Sequence, residues 1–126
     1  MKQIAVLIPG IMGSELRLDG EIIWPGPFRS LIFSYALMPQ LLDPDLEATD
    51  VIRRYSISKQ YAAIIEDLHT CGFREDGAPP TLFVCPYDWR KTVALAATAL
   101  SKLLERITTL YHNEEISITL VGHSMG

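Results

Sequence analysis

Residues Ile4-Ala5-Val6-Leu7-Ile8 form an unbroken apolar run, stopped at once by Pro9-Gly10. So short a run, ended by Pro-Gly, cannot be a helix and fits a strand buried on both faces, whose natural home is a parallel sheet. Thr81 to Cys85 (TLFVC), closed by Pro86, reads as a second such strand, and Ile116 to Val121 as a third. Between the first two, Ser58 is placed to cap a helix carrying Tyr61, Ala62, Ile64, Ile65 and Leu68 at helical spacing, with Gly72 as its stop. Between the second and third, Thr92 is placed to cap a longer helix. Its apolar face is Val93, Ala96, Ala97, Leu100, Leu103, Leu104, Ile107, Leu110 and Tyr111. Strand, helix, strand, helix, strand predicts an α/β fold with a mostly parallel sheet and flanking helices.

The stretch between the first strand and first helix does not fit that alternation. Glu15 to Trp24 reads as two short extended pieces around Asp19-Gly20, and Pro25-Gly26-Pro27 breaks the chain. Phe28 to Leu42 is apolar almost all round, so it is either buried or covers something greasy. Asp43-Pro44-Asp45 ends it, and Ala48 to Ile57 is expected to be extended. With 126 residues, 48% of them hydrophobic, the chain is one domain or a piece of one. Its net charge of −4 and its lack of long basic runs argue against nucleic acid as a partner. Cys71 and Cys85 are expected to be free thiols in a reducing compartment. The N-terminal segment has one lysine and no small-x-small cleavage site, and no stretch is apolar enough to span a membrane. The expectation is therefore a cytoplasmic chain with no signal peptide and no transmembrane segment.

Two short motifs carry chemistry. Gly122-His123-Ser124-Met125-Gly126 has the Gly-x-Ser-x-Gly pattern of a nucleophile elbow, a sharp turn that thrusts a serine out at the end of a strand. The preceding strand it requires is Ile116 to Val121. The flanking glycines are expected on steric grounds, because a side chain there would strike neighbouring backbone. Pro9-Gly10-Ile11-Met12-Gly13-Ser14 follows the first strand and is either an ordinary turn or the loop that offers a backbone N–H to a developing oxyanion. The second N–H would belong to Met125, the residue after the nucleophile. No His, Cys, Asp and Glu cluster has metal-ligand spacing and no glycine pattern cradles a phosphate, so no metal or other cofactor is expected.

Taken in order, PGIMGSEL, PYDWRKT and VGHSMG resemble the lecithin:cholesterol acyltransferase family, a branch of the α/β-hydrolases, across the whole chain. The resemblance implies a serine-dependent lipid acyl hydrolase or O-acyltransferase, with Ser124 as nucleophile and Ile11 and Met125 as oxyanion-hole donors. It implies a lid or acyl-binding region beginning at Trp24, an excursion over about residues 24–50, with Met12, Trp24 and Trp89 as lining candidates. Trp24 and Trp89 could equally fill the core. Gly10, Asp88, Arg90, Gly122, His123 and Gly126 are expected to be structural neighbours of the site. Asp88 and Arg90 are read as an ion pair near the chemistry, because this fold takes its catalytic acid after the nucleophile. His123 is read as a packing or hydrogen-bonding neighbour, and His69 and His112 as solvated helical residues. None of the three is a good general base for Ser124.

The catalytic Asp and His that this family places beyond the elbow are not in the sequence. Three readings follow. The chain is the N-terminal portion of a truncated acyl hydrolase or acyltransferase, inactive alone and marginally stable. Or it is one half of a split enzyme, complemented by a separate C-terminal half. Or it is a non-enzymatic remnant that binds lipid or a partner through Phe28 to Leu42. In each enzymatic reading the substrate is a lipid or other acyl ester.

Overall fold

The computed structural model describes residues 1–26, 38–55 and 60–126. In chain order these form β1 (Lys2–Ile8), β2 (Ser14–Leu18), β3 (Glu21–Trp24), α1 (Met38–Leu41), β4 (Glu47–Val51), α2 (Gln60–Thr70), β5 (Leu82–Val84), α3 (Val93–Leu110) and β6 (Ile116–Gly122). Most of the apolar stretch from Phe28 to Leu42 lies outside the described residues, as does Ser58.

β1 is central in a three-stranded parallel sheet of order β5-β1-β6. Its register with β6 runs unbroken from Lys2 opposite Ile116 to Ile8 opposite Gly122. Both faces of β1 are covered, as its run of apolar residues requires. Ile4 and Val6 point into a core with Phe83, Cys85, Leu103, Ile107 and Tyr111, beneath α3. Ala5 and Leu7 point the other way, into a core with Val51, Tyr61, Ile65 and Leu82, beneath α2. Alternate residues of one strand thus hold the two helices on opposite faces.

The excursion after β1 folds into a separate antiparallel sheet of order β3-β2-β4, so the architecture is α/β with two sheets rather than one mostly parallel one. Asp19 and Gly20, both with positive φ, make the tight turn between β2 and β3. Leu16, Ile23 and Leu46 form the small core of this second sheet.

The N–H groups of Tyr61 and Ala62 are taken by the carbonyls of Ile52 and Arg53, so backbone caps the first turn of α2. Thr92 stands at the N-cap of α3, but its side chain makes no capping hydrogen bond. Gly72, with φ +96°, ends α2 as expected. The apolar face assigned to α3 is buried only in its C-terminal half, through Leu103, Ile107 and the following Tyr111, whereas Val93 is 71% exposed. No helix among the described residues is long and apolar enough to cross a membrane. Cys71 is exposed and Cys85 buried, both as free thiols.

Candidate active site

β6 delivers the chain to a tight turn at its carboxyl end. The His123 N–H closes the ladder onto the Ile8 carbonyl at 3.1 Å, and the Gly126 N–H folds back on the His123 carbonyl at 2.9 Å. Ser124, inside this turn, has φ +57°, a left-handed conformation that costs a non-glycine residue about 1–3 kcal/mol and is held only where the surroundings enforce it. The turn leaves no room for a side chain at either flanking position, so both must be glycine. A Cβ on Gly122 would lie 2.6 Å from the Gly126 carbonyl oxygen; one on Gly126 would overlap the Ile8 carbonyl oxygen and lie 2.8 Å from that of Pro9.

The loop after β1 lies against this turn. A Cβ on Gly10 would sit 2.8 Å from the Cβ of Ser124 and 3.0 Å from the His123 carbonyl. The loop is pinned along its length. The Gly10 N–H donates to the Tyr61 hydroxyl at 2.8 Å. The Trp24 Nε1–H donates to the Met12 carbonyl at 3.1 Å, and the Trp89 Nε1–H to the Ser14 carbonyl at 3.3 Å. The fully buried Ser14 accepts the Tyr87 N–H on its hydroxyl at 3.1 Å. Within this pinned loop Met12 has φ +60°, and Ile11 and Met12 are about half exposed. Among the described residues the N–H groups of Ile11, Met12 and Met125 have no acceptor, whereas those of Gly10, Gly13 and Gly126 are used internally.

Trp24 and Trp89 meet edge to face with ring centroids 5.3 Å apart, so the two rings brace each other beneath the loop. Trp89 also borders a cavity of about 170 Å³ beside the Ser124 turn, shared with Ile11, Val93, Leu100, Met125 and Gly126. Cys85 lines it as well, and burial raises its thiol pKa, which keeps it protonated and a poor competitor as nucleophile.

Asp88 and Arg90 form a two-pronged ion pair, Nε to Oδ1 at 2.9 Å and Nη2 to Oδ2 at 2.6 Å. The remaining arm of the guanidinium donates to the carbonyls of Leu41 and Asp43. The pair therefore ties the loop after β5 to the segment leading into β4. Burial on its own pushes the Asp88 carboxyl up, but the Arg90 hydrogen bonds and the charges of Arg90 and Lys91 bring it below its ordinary value.

None of the three histidines hydrogen-bonds the Ser124 hydroxyl, which makes no hydrogen bond among the described residues. His123 Nδ1 is 2.9 Å from the Tyr61 hydroxyl. His112 is exposed beside Thr109 and Asn113. His69 is only partly solvated, its Nε2 being buried 3.7 Å from Glu75. No group of three or more His, Cys, Asp or Glu among the described residues could hold a metal ion. Sequence reasoning assigned Tyr61 only to an apolar helix face and missed its place here. The usable signal was its hydroxyl, which needs a partner once buried.

A parallel sheet whose neighbouring strands β1 and β6 end in a pinned glycine loop and a glycine-flanked, left-handed serine defines an α/β protein with its candidate site at the strand ends. Residues 42–126, well over half of the chain, match the family model of lecithin:cholesterol acyltransferase, and the chain belongs to that family. Membership places it among lipid acyltransferases and lipid-acyl hydrolases. The chain matches no curated protein and no solved structure.

Proposed function

We propose that Ser124 is the nucleophile of a lipid-acyl hydrolase or O-acyltransferase site, with the backbone N–H groups of Ile11 and Met125 as its oxyanion hole. The observation that carries this reading is the left-handed Ser124 at the end of β6, wedged between two obligatory glycines with the Gly10 loop against its Cβ. Such a turn lifts the hydroxyl clear of the sheet edge, next to N–H groups that have no other acceptor. In the reaction, Oγ would bond to the acyl carbonyl carbon as its proton passes to a general base. The ester C–O bond would then break, the base returning the proton to the departing alcohol. Water or another alcohol would take the acyl group by the reverse path.

The base is the part these residues do not supply. Each histidine is engaged or positioned elsewhere, so the His and Asp of the triad are read as coming from polypeptide outside these 126 residues. In this reading, residues 1–126 are part of an α/β-hydrolase domain with a lid-type excursion around residues 24–50, and Met12, Trp24 and Trp89 line the substrate. Gly10, Asp88, Arg90, Gly122, His123 and Gly126 shape the site.

A thiol tests the site without the missing base, because cysteine is partly ionised near neutral pH and intrinsically nucleophilic. In a Ser124→Cys variant treated with p-nitrophenyl butyrate, peptide mass mapping follows acylation at position 124 and at Cys71, an exposed free thiol in the same molecule. The site should acylate at least about tenfold faster than Cys71, an effect well within what one oxyanion-hole donor contributes. Equal rates would overturn the reading. The unaltered chain should show no turnover of the same ester.

A further inference from the structure

Two segments must hold a fixed separation for any chemistry at Ser124: the loop that offers an N–H and the turn that offers the hydroxyl. They come from the ends of different strands, and one side chain from a third element lies between them. The Tyr61 hydroxyl, on the buried face of α2, accepts the Gly10 N–H at 2.8 Å and lies 2.9 Å from His123 Nδ1. The Tyr61 and His123 rings meet edge to face, with centroids 5.5 Å apart. The fit is tight from the loop side too, because a Cβ on Gly13 would lie 2.8 Å from the same hydroxyl.

The protons can be assigned. A backbone N–H can only donate, so the Tyr61 oxygen is the acceptor toward Gly10. Its own proton needs an acceptor, and His123 Nδ1 is the one within hydrogen-bond distance among the described residues. A buried hydroxyl proton left unpaired would be costly, so Tyr61 donates to Nδ1, and the His123 proton sits on Nε2. The chain of bonds runs Gly10 N–H to Tyr61 O–H to His123 Nδ1. It also occupies the Gly10 N–H, leaving Ile11 as the next N–H along the loop for a substrate oxygen.

We infer that Tyr61 is a positioning residue, whose hydroxyl couples the Gly10 loop to the Ser124 turn through His123 and sets His123 in the Nε2–H form. This rests on the reading of Ser124 and Ile11 given above, although the hydrogen-bond chain itself can be measured without it.

The test combines a spectroscopic and a chemical readout on the 126-residue chain. Imidazole ¹⁵N NMR of the unaltered protein should find His123 as the Nε2–H tautomer; finding the Nδ1–H tautomer overturns the inference and needs no variant. Tyr61→Phe, which removes only the hydroxyl, should convert His123 to a mixture of tautomers. It should also speed hydrogen exchange at the Gly10 amide by about tenfold, the loss expected for one hydrogen bond. An unmoved tautomer and unmoved exchange overturn the inference. Ile65→Ala, on the same helix and in the same core, should lower stability while leaving the tautomer unchanged. In the Ser124→Cys background, Tyr61→Phe should slow acylation at position 124 by about tenfold with Cys71 unaffected, and an unchanged rate overturns the positioning role. Should position 124 already react no faster than Cys71 in that background, the nucleophile reading fails, and the tautomer and exchange results still decide the coupling.

Discussion

Arg90 illustrates how one side chain can be structural and still report on the site. Four of its five N–H donors are spent on the Asp88 carboxylate and on the carbonyls of Leu41 and Asp43, a set that only a planar guanidinium satisfies at once. Replacing it by methionine should cost roughly 2 kcal/mol at neutral pH, since charge-assisted bonds are lost and two carbonyls are left without that donor. Part of that cost depends on pH, and its sign follows from Asp88. In the folded protein the Asp88 pKa is lowered, with Arg90 and Lys91 overcoming the opposing effect of burial. Its contribution to stability is therefore full above the ordinary aspartate value, near 4, and fades as pH falls through the lowered folded value. In Arg90→Met the guanidinium's share of that lowering is lost, so this pH-dependent part of the stability shrinks. Urea midpoints measured from about pH 7 down to about pH 3 should converge for the two proteins; a gap that stays constant would mean that Asp88 is not held by Arg90.

The elements differ in how plainly the sequence announces them. β1 and β5 are legible because burial on both faces demands uninterrupted apolar residues, and α2 because Tyr61, Ala62 and Ile65 recur at helical spacing. Gly122 and Gly126 are legible too, since their need is steric and local. A Gly122→Ala variant should lose about 1–3 kcal/mol in chemical denaturation, because its Cβ would press on the Gly126 backbone, which has no flexible end to swing away. It should also slow acylation at position 124 in the Ser124→Cys background. What the sequence conceals depends on contacts far apart in the chain. Ser14 and Tyr87 are 73 positions apart and Tyr61 and His123 are 62 apart, and no local pattern joins either pair. The antiparallel β3-β2-β4 sheet was visible only as extended pieces, because strand pairing is decided by tertiary register and bulges rather than by propensity. The exposed start of α3 was hidden for a related reason. Periodicity identifies an apolar face but not whether anything packs on all of it.

At the level of the whole molecule, that exposed start belongs to a larger surface. Along one face of β6, Ile116 and Ile118 pack beneath α3, but Leu120, two residues further on, is 48% exposed. Val93, Leu95 and Met125 are exposed as well, and Val93 and Met125 border the cavity beside the Ser124 turn. β6 pairs with β1 along its entire length, and its other edge has no partner strand among those described. An unpaired edge next to an apolar surface is the combination that invites association between copies. The consequence can be separated from fold stability by position. Leu120→Lys adds a charge where the side chain is already half in water. It should reduce concentration-dependent light scattering severalfold while leaving the thermal midpoint almost unchanged. Ile118→Lys puts the same charge on the same face one step back, against Leu103 and Ile107, and should lower the midpoint and increase scattering. If both substitutions lowered the midpoint alike, Leu120 would be part of the core. If neither changed the scattering, the β6 edge would not be the surface through which copies associate.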